Sequence, residues 1–128
     1  MGTLIVFEGA DGVGKATQAR LLSLSLQQRG LDVVTFSFPR YGTMIGGVIH
    51  DLLHRDEAEW RGLRWKTRAL LFALDRLEAL PELREALSHR AVVLVDRYVE
   101  SNAAYHASEA PTPAEMRERV EWICHLEY

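Results

Sequence analysis

Short apolar runs alternate with helical repeats along this chain. Apolar and β-branched residues at positions 4–7, 33–37 and 91–95 predict three strands. Between the second and third strands, apolar residues recur at i, i+3, i+4, i+7 and i+8, which predicts a helix with one buried stripe. The members of this stripe are Ile45, Val48, Ile49, Leu52 and Leu53. Alternating strands and helices predict an α/β fold with a parallel sheet flanked by helices.

Two longer helical patterns follow. One runs from about residue 60 into the high eighties, and we expect Pro81 either to break it or to begin a new helix. The other begins at Thr112, Pro113 and Glu115, which fit an N-cap, a first helical position and a capping box. No signal ends this last helix before Tyr128.

Composition narrows the class of protein. A chain of 128 residues that is 48% hydrophobic can bury one core, so we expect a single domain over residues 1–128. Its net charge of -3, with basic and acidic residues interspersed, argues against a nucleic-acid surface. Its apolar runs are too short to cross a membrane. The single cysteine, Cys124, fits a reducing cytoplasm.

The stretch GADGVGKAT follows the first predicted strand and leads into a helix. It matches the phosphate-binding pattern G-x-x-x-x-G-K-[ST] at seven of its eight positions. In such a loop, backbone N–H groups and the lysine bind phosphate oxygens, whereas a plain glycine-rich turn is the alternative. The candidate ATP-binding residues are Gly9, Ala10, Asp11, Gly12, Val13, Gly14, Lys15, Ala16 and Thr17.

The mismatch in this pattern is Ala16, which lacks the hydroxyl that normally binds magnesium. The metal must then be held by other groups, or Thr17 must substitute. Asp96 ends a buried strand and can bring a carboxylate to the carboxyl edge of the sheet, where ligands bind in such folds. Its alternative role is to cap the next turn. Arg97 suits phosphate recognition, and a plain ion pair is its alternative.

Two further pairs of side chains suggest recognition of a planar ligand. On the long helix, Leu70, Leu74 and Leu77 predict the buried face, so Phe72 and Arg76 are expected to point roughly the other way. Phe72 then either packs under a loop or stacks on a planar ligand whose edge Arg76 contacts. Asn102 and Tyr105 form a similar pair three residues apart, and asparagine offers both a donor and an acceptor.

Four segments together resemble the N-terminal part of bacterial thymidylate kinases. They are FEGADGVGKATQ, FPRYG, LFALDR and DRYVESNAAYHA, in family order and spacing over nearly the whole chain. The resemblance implies a P-loop NTPase-type fold and transfer of a phosphoryl group from ATP to dTMP, giving dTDP, with Mg²⁺ as cofactor. It also implies a homodimer for the intact family member.

The resemblance implies roles for individual residues. Lys15, Arg97 and Asp11 would be catalytic, with Asp11 and Asp96 at the metal. Phe72 would stack on thymine, Arg76 and Asn102 would read its edge, and Tyr105 would crowd the ribose 2′ position. Arg97 would hold the dTMP phosphate and Asp11 its sugar hydroxyl. The remaining residues expected to line the dTMP pocket are Phe38, Pro39, Arg40 and Tyr41.

The chain departs from the family at its C-terminal end. Family members continue into an arginine-bearing lid and two more strands, so we expect an incomplete P-loop kinase domain with three strands that binds dTMP, turns over little and self-associates. Two alternatives stay open: a kinase for another nucleotide or small hydroxyl substrate, and a nucleotide-binding module without turnover.

Overall fold

The computed structural model describes residues 1–89 and 91–128. Within these ranges the chain forms three strands and six helices. In chain order they are β1 (Thr3–Phe7), α1 (Lys15–Gln28), β2 (Val33–Ser37), α2 (Met44–His54), α3 (Glu57–Gly62), α4 (Trp65–Ser88), β3 (Val92–Asp96), α5 (Val99–Ser108) and α6 (Pro113–Glu127). No helix in these two ranges is long and apolar enough to span a bilayer.

The chain divides into two compact units. Unit 1 comprises Met1–Phe38 and Leu77–Tyr98, and unit 2 comprises Pro39–Arg76 and Val99–Tyr128. Unit 1 contains all three strands together with α1, whereas unit 2 is helical. The expected single domain stays a prediction.

The sheet in unit 1 is parallel throughout, in the order β1-β3-β2. β3 is central and its residues 93–95 are buried, which explains why that segment is apolar without alternation. The register pairs Phe7 of β1 and Ser37 of β2 with Asp96 of β3. All three strands therefore end at the same edge, as expected for Asp96 if its strand lies beside the first.

The core of unit 1 lies against one face of this sheet. Phe36 and Phe38 stack with their ring centroids 6.3 Å apart, beside Val93 and Val95. Buried residues of α4, including Leu83, complete the cluster. Apolar contacts of this kind supply the main driving force that holds helix to sheet.

The predicted buried face of α4 is wrong. Leu70, Leu74 and Leu77 are 39%, 40% and 55% exposed, while Arg76 is only 7% exposed. Two stripes of residues run along this helix with similar helical spacing, offset by about one residue in sequence. The stripe with fewer large apolar side chains is the buried one. Its buried members are Ala69, Arg76, Ala79 and Leu83, and the half-buried Phe72 lies on the same stripe.

The expected break at Pro81 is also wrong, because α4 runs without interruption through this residue. Proline removes one backbone hydrogen bond from a helix interior. Here Ala79 and Leu83, on either side of it, are both buried in the core of unit 1, and their packing keeps the helix continuous. The break falls earlier, between Gly62 and Trp65.

The predicted helix ends are confirmed at two places. Thr112 accepts a hydrogen bond from the Glu115 backbone N–H at 3.2 Å and so caps α6. At the end of α1, Gly30 has a φ of 78°, the left-handed conformation that glycine adopts most readily.

Candidate functional site

The phosphate-loop candidate lies in unit 1 between β1 and α1. Gly12 and Gly14 have φ values of 73° and 98°, which residues with a Cβ rarely adopt. Gly14 is the N-cap of α1 and makes no side-chain capping bond, so the first N–H groups of the helix lack that partner. A helix N-terminus of this kind favours anions, because its N–H groups and dipole both present positive charge.

The only basic side chain within this loop segment folds back over it. Lys15 Nζ donates a hydrogen bond to the Ala10 carbonyl oxygen at 2.6 Å, which holds the ammonium beside the loop backbone. The next residue, Ala16, presents a methyl group and no oxygen. A cation at this loop therefore receives no side-chain ligand from position 16.

Asp96 offers a carboxylate at the carboxyl end of β3, in register with Phe7 at the end of β1. Its backbone carbonyl accepts from Phe38 N at 3.0 Å, while its Oδ1 is buried and has no hydrogen-bond partner among the described residues. An unpaired buried carboxylate oxygen is the kind of atom that a hard cation binds. The described residues contain no cluster of three or more His, Cys, Asp or Glu side chains, so phosphate and water would complete such a coordination shell.

Arg97 follows Asp96 in a backbone conformation that is unusual for a residue with a side chain. Its φ is 67°, and its N–H donates to the Phe7 carbonyl at 3.0 Å. The guanidinium pairs with the carboxylate of Asp11 in the phosphate loop. Strained non-glycine residues of this type cluster at functional sites, and this one carries a cation that pairs with the loop.

A second group of predicted site residues lies in unit 2. Arg76 and Asn102 are 7% and 3% exposed, and both contact the carboxylate of Glu127 in α6. Sequence reasoning missed Glu127, because a glutamate in an exposed-looking helix carries no signal of its own. The burial of Arg76 also went unpredicted, for the reason given for α4.

Three aromatic residues of unit 2, Trp60, Phe72 and Tyr105, pack against one another. Phe72 meets Trp60 and Tyr105 edge to face, with ring centroids 5.6 and 6.1 Å apart. Trp60 Nε1 donates to the Tyr105 hydroxyl at 2.9 Å. Phe72 is half-buried, and its partners here are aromatic side chains rather than a loop. These contacts fix the orientation of both rings expected at the nucleoside.

The FPRYG segment is anchored through its backbone. Asp75, which is fully buried, accepts a hydrogen bond from the Arg40 N–H at 2.8 Å, and Thr43 Oγ1 donates to the Arg40 carbonyl at 2.9 Å. Burial raises the pKa of Asp75, although the hydrogen bond from Arg40 opposes the shift. Gly46 is required here, since an added Cβ would lie 1.8 Å from the Arg40 carbonyl oxygen.

The structure thus places the predicted residues in two groups. Asp11, Lys15, Asp96 and Arg97 lie at the carboxyl edge of the sheet in unit 1. Phe38 lies in the core of unit 1, where its ring also packs against Tyr98. The others belong to unit 2 and are Pro39, Arg40, Tyr41, Phe72, Arg76, Asn102 and Tyr105.

Comparison with known proteins gives consistent results. A family model described as thymidylate kinase matches residues 7–120. A thymidylate kinase from Bifidobacterium longum subsp. infantis is 40% identical over 124 residues, covering 94% of this chain and 53% of that protein. The Mycobacterium tuberculosis thymidylate kinase is 35% identical over 126 residues, covering 98% and 58%. The chain therefore spans little more than half the length of these curated relatives.

Solved structures agree with the sequence relatives. Thymidylate kinase from Candida albicans superposes with a TM-score of 0.80 at 27% identity, covering 95% of this chain and 55% of that one. The enzyme from Ehrlichia chaffeensis gives 0.71 at 26% identity, covering 95% and 68%. Both support the predicted P-loop NTPase fold, with three parallel strands in the described part of the chain.

Proposed function

The chain belongs to the thymidylate kinase family, and on that premise we propose that it binds ATP and dTMP and transfers the γ-phosphoryl group of ATP to dTMP, giving dTDP. The family membership confirms the resemblance predicted from the four motifs. The observation that carries the proposal is the register of Phe7 with Asp96. It brings the end of the strand before the phosphate loop beside Asp96, the last residue of β3, and next to Arg97, which follows it.

The proposed chemistry is mainly positioning and charge neutralisation. A phosphoryl group in transfer carries negative charge on its oxygens, and fixed cations lower the barrier more than a base does. Lys15 would leave the Ala10 carbonyl for the phosphates of ATP. Arg97 would exchange its pairing with Asp11 for the phosphate of dTMP, since arginine matches phosphate in a bidentate manner.

Magnesium fits the residues present. Asp96 offers a buried carboxylate oxygen without a hydrogen-bond partner in the described part of the chain, and Asp11 offers an exposed carboxylate nearby in the loop. When bound, Mg²⁺ would neutralise charge on the phosphate oxygens of ATP. Ala16 supplies no ligand, so we propose that Asp96 carries more of the binding than in a loop with serine or threonine.

In unit 2 we propose that Phe72, Arg76, Asn102 and Tyr105 bind the nucleoside part of dTMP. The support is the burial of Arg76 and Asn102, together with the contacts that orient all four side chains. We further propose a cytoplasmic protein, because Cys124 is the only cysteine of the 128 residues. The homodimer of intact family members belongs to the same proposal.

A coupled assay of ADP release with dTMP, dUMP, dGMP and dAMP tests the proposed function. We expect dTMP to be the preferred acceptor among the four. Turnover with dGMP or dAMP but not dTMP would indicate a different nucleotide kinase. Tight binding of dTMP and ATP by calorimetry without any ADP release would indicate a nucleotide-binding module.

A further inference from the structure

Glu127 joins the two residues proposed to read the base. Its side chain is 6% exposed, and its carboxylate receives Arg76 Nε at 2.5 Å on one oxygen and Arg76 Nη2 at 2.6 Å on the other. The second oxygen also accepts from Asn102 Nδ2 at 2.9 Å. One buried carboxylate therefore holds both side chains, and all three residues belong to unit 2.

These contacts determine which way the Asn102 amide faces. Its nitrogen donates to the Ala69 carbonyl at 3.2 Å as well as to Glu127. A carbonyl and a carboxylate can only accept, so the NH₂ group must lie on that side of the amide. The amide oxygen then lies on the other side. It is buried, and it has no hydrogen-bond partner among the residues that the structure describes.

A buried acceptor without a partner is unfavourable unless a donor reaches it. Asn102 is 3% exposed, so bulk water does not supply that donor freely. If the amide were rotated by 180°, its NH₂ group would lose both hydrogen bonds. Its oxygen would then face two acceptors, the Ala69 carbonyl and the Glu127 carboxylate. The hydrogen bonds to Ala69 and Glu127 therefore leave the amide oxygen of Asn102 as the atom that can accept from a ligand.

Arg76, in contrast, can present only hydrogen-bond donors to a ligand. A guanidinium has five N–H groups and accepts no hydrogen bond, so beyond its two bonds to Glu127 it can offer only donors. The pair of residues then presents one acceptor and one donor. A pyrimidine with N3–H and a carbonyl at C4 matches that pair, whereas cytosine places an acceptor at N3 and a donor at C4.

We propose that Glu127 is a positioning residue that fixes this hydrogen-bond polarity, so that the Asn102 and Arg76 pair accepts a 4-oxo pyrimidine monophosphate and rejects cytosine. This inference rests on the proposed function, in which the two side chains contact the base. It assigns Glu127 no contact with substrate. Its effect on the base passes through Arg76 and Asn102.

The test compares dissociation constants for dTMP, dCMP and ATP, measured by titration calorimetry on the wild-type chain and on Glu127→Gln. Glutamine has one acceptor oxygen and one NH₂ group, so it cannot accept at both positions as the carboxylate of Glu127 does. Its NH₂ group would face a donor of Arg76 at one position, or donors of Arg76 and Asn102 at the other. We expect the wild type to prefer dTMP over dCMP by about 100-fold or more, and Glu127→Gln to reduce that ratio by about 10-fold. The affinity for ATP should stay within a factor of about two.

Two further variants control the comparison. Glu121→Gln makes the same chemical change at an exposed position of α6 and should leave the ratio unchanged. Glu127→Asp keeps a group that only accepts, so its ratio should fall less than that of Glu127→Gln, and it carries the test if the glutamine variant does not fold.

The outcomes separate the two proposals. If the wild type discriminates the nucleotides but Glu127→Gln keeps the full ratio, or weakens dTMP and dCMP equally, Glu127 is merely structural and this inference is overturned. If the wild type binds neither nucleotide, the proposed function is overturned and the inference falls with it.

Discussion

His106 provides a test of the packing in unit 2 through acid stability. It is fully buried, and its ring contacts the rings of Tyr105 at 4.9 Å and Phe72 at 6.1 Å between centroids. Neither ring nitrogen has a hydrogen-bond partner among the described residues. Burial, followed by the positive charges of Arg68 and Arg119, lowers the pKa of His106 from 6.5 to about 4. The folded protein therefore holds this imidazole neutral.

The sign of the effect follows from proton binding. As the pH falls below 6.5, the unfolded chain takes up a proton on His106 while the folded chain does not until the pH nears 4. Unfolding is then favoured by proton uptake, and stability is lost as pH falls through this window. The full loss is about 3 kcal/mol, at about 1.4 kcal/mol for each tenfold change in proton affinity. At about pH 5 the expected loss is about 2 kcal/mol.

Replacement of His106 by phenylalanine should remove this loss. Phenylalanine fills a similar volume among the same rings and takes up no proton. Urea titrations at about pH 7.5 and pH 5 give the free energy of unfolding at each pH. We expect the difference between these two values to be about 2 kcal/mol smaller for His106→Phe than for the wild type. The urea m-value should be unchanged. Other titrating groups, including Asp75 with its raised pKa, cancel in this comparison because both proteins contain them.

The matched control is His125→Gln, which removes an exposed histidine from α6. It should show the same pH dependence as the wild type. If His106→Phe loses as much stability as the wild type between the two pH values, then His106 is not held neutral by burial and the packing described for this ring is incorrect.

Four other predictions concern single side chains of the site and its supporting loop. Lys15→Ala should weaken ATP binding, since the phosphates lose their nearest fixed cation, and unchanged calorimetric affinity would count against the phosphate loop. Asn102→Ala should weaken dTMP more than ATP, by about 1 to 3 kcal/mol; equal losses for both nucleotides would contradict its placement at the base. Asp96→Asn should abolish the tightening of ATP by magnesium, and an ordinary magnesium response would move the metal elsewhere. Gly46→Ala should lower stability by about 1 to 3 kcal/mol, because its Cβ would lie 1.8 Å from the Arg40 carbonyl oxygen, and an unchanged melting temperature would refute the close approach.

The sheet and the phosphate loop were predictable because their signals are local. β2 was predicted with the observed bounds, and β3 within one residue at each end, since a strand buried on both faces is an uninterrupted apolar run. The loop could be predicted because phosphate binding depends on its backbone conformation. Gly12 and Gly14 have positive φ values, which glycine adopts most readily, so glycines in the sequence indicate that conformation.

α4 shows where such reasoning fails. The stripe of Leu70, Leu74 and Leu77 has the correct helical spacing and the greater hydrophobicity, yet the adjacent stripe with Arg76 is the buried one. Hydrophobic periodicity assumes that charged residues face water. That assumption fails when a charged side chain forms an ion pair inside the protein, as Arg76 does with Glu127. The hydrogen bonds within the pair replace those that the side chains made with water in the unfolded chain.

The partners in unit 2 are also remote in sequence, which explains why no motif reveals them. Arg76 and Glu127 are separated by 51 positions, and Asn102 and Glu127 by 25. Local pairs in the sequence singled out Arg76 and Asn102, and the resemblance gave them a role, whereas Glu127 could be found only in the coordinates. Buried polar groups depart from the rules that govern ordinary cores, and such departures concentrate where a ligand must be recognised. The oxygen of Asn102, which has no hydrogen-bond partner among the described residues, is a departure of this kind, and a base with N3–H would supply a donor to it.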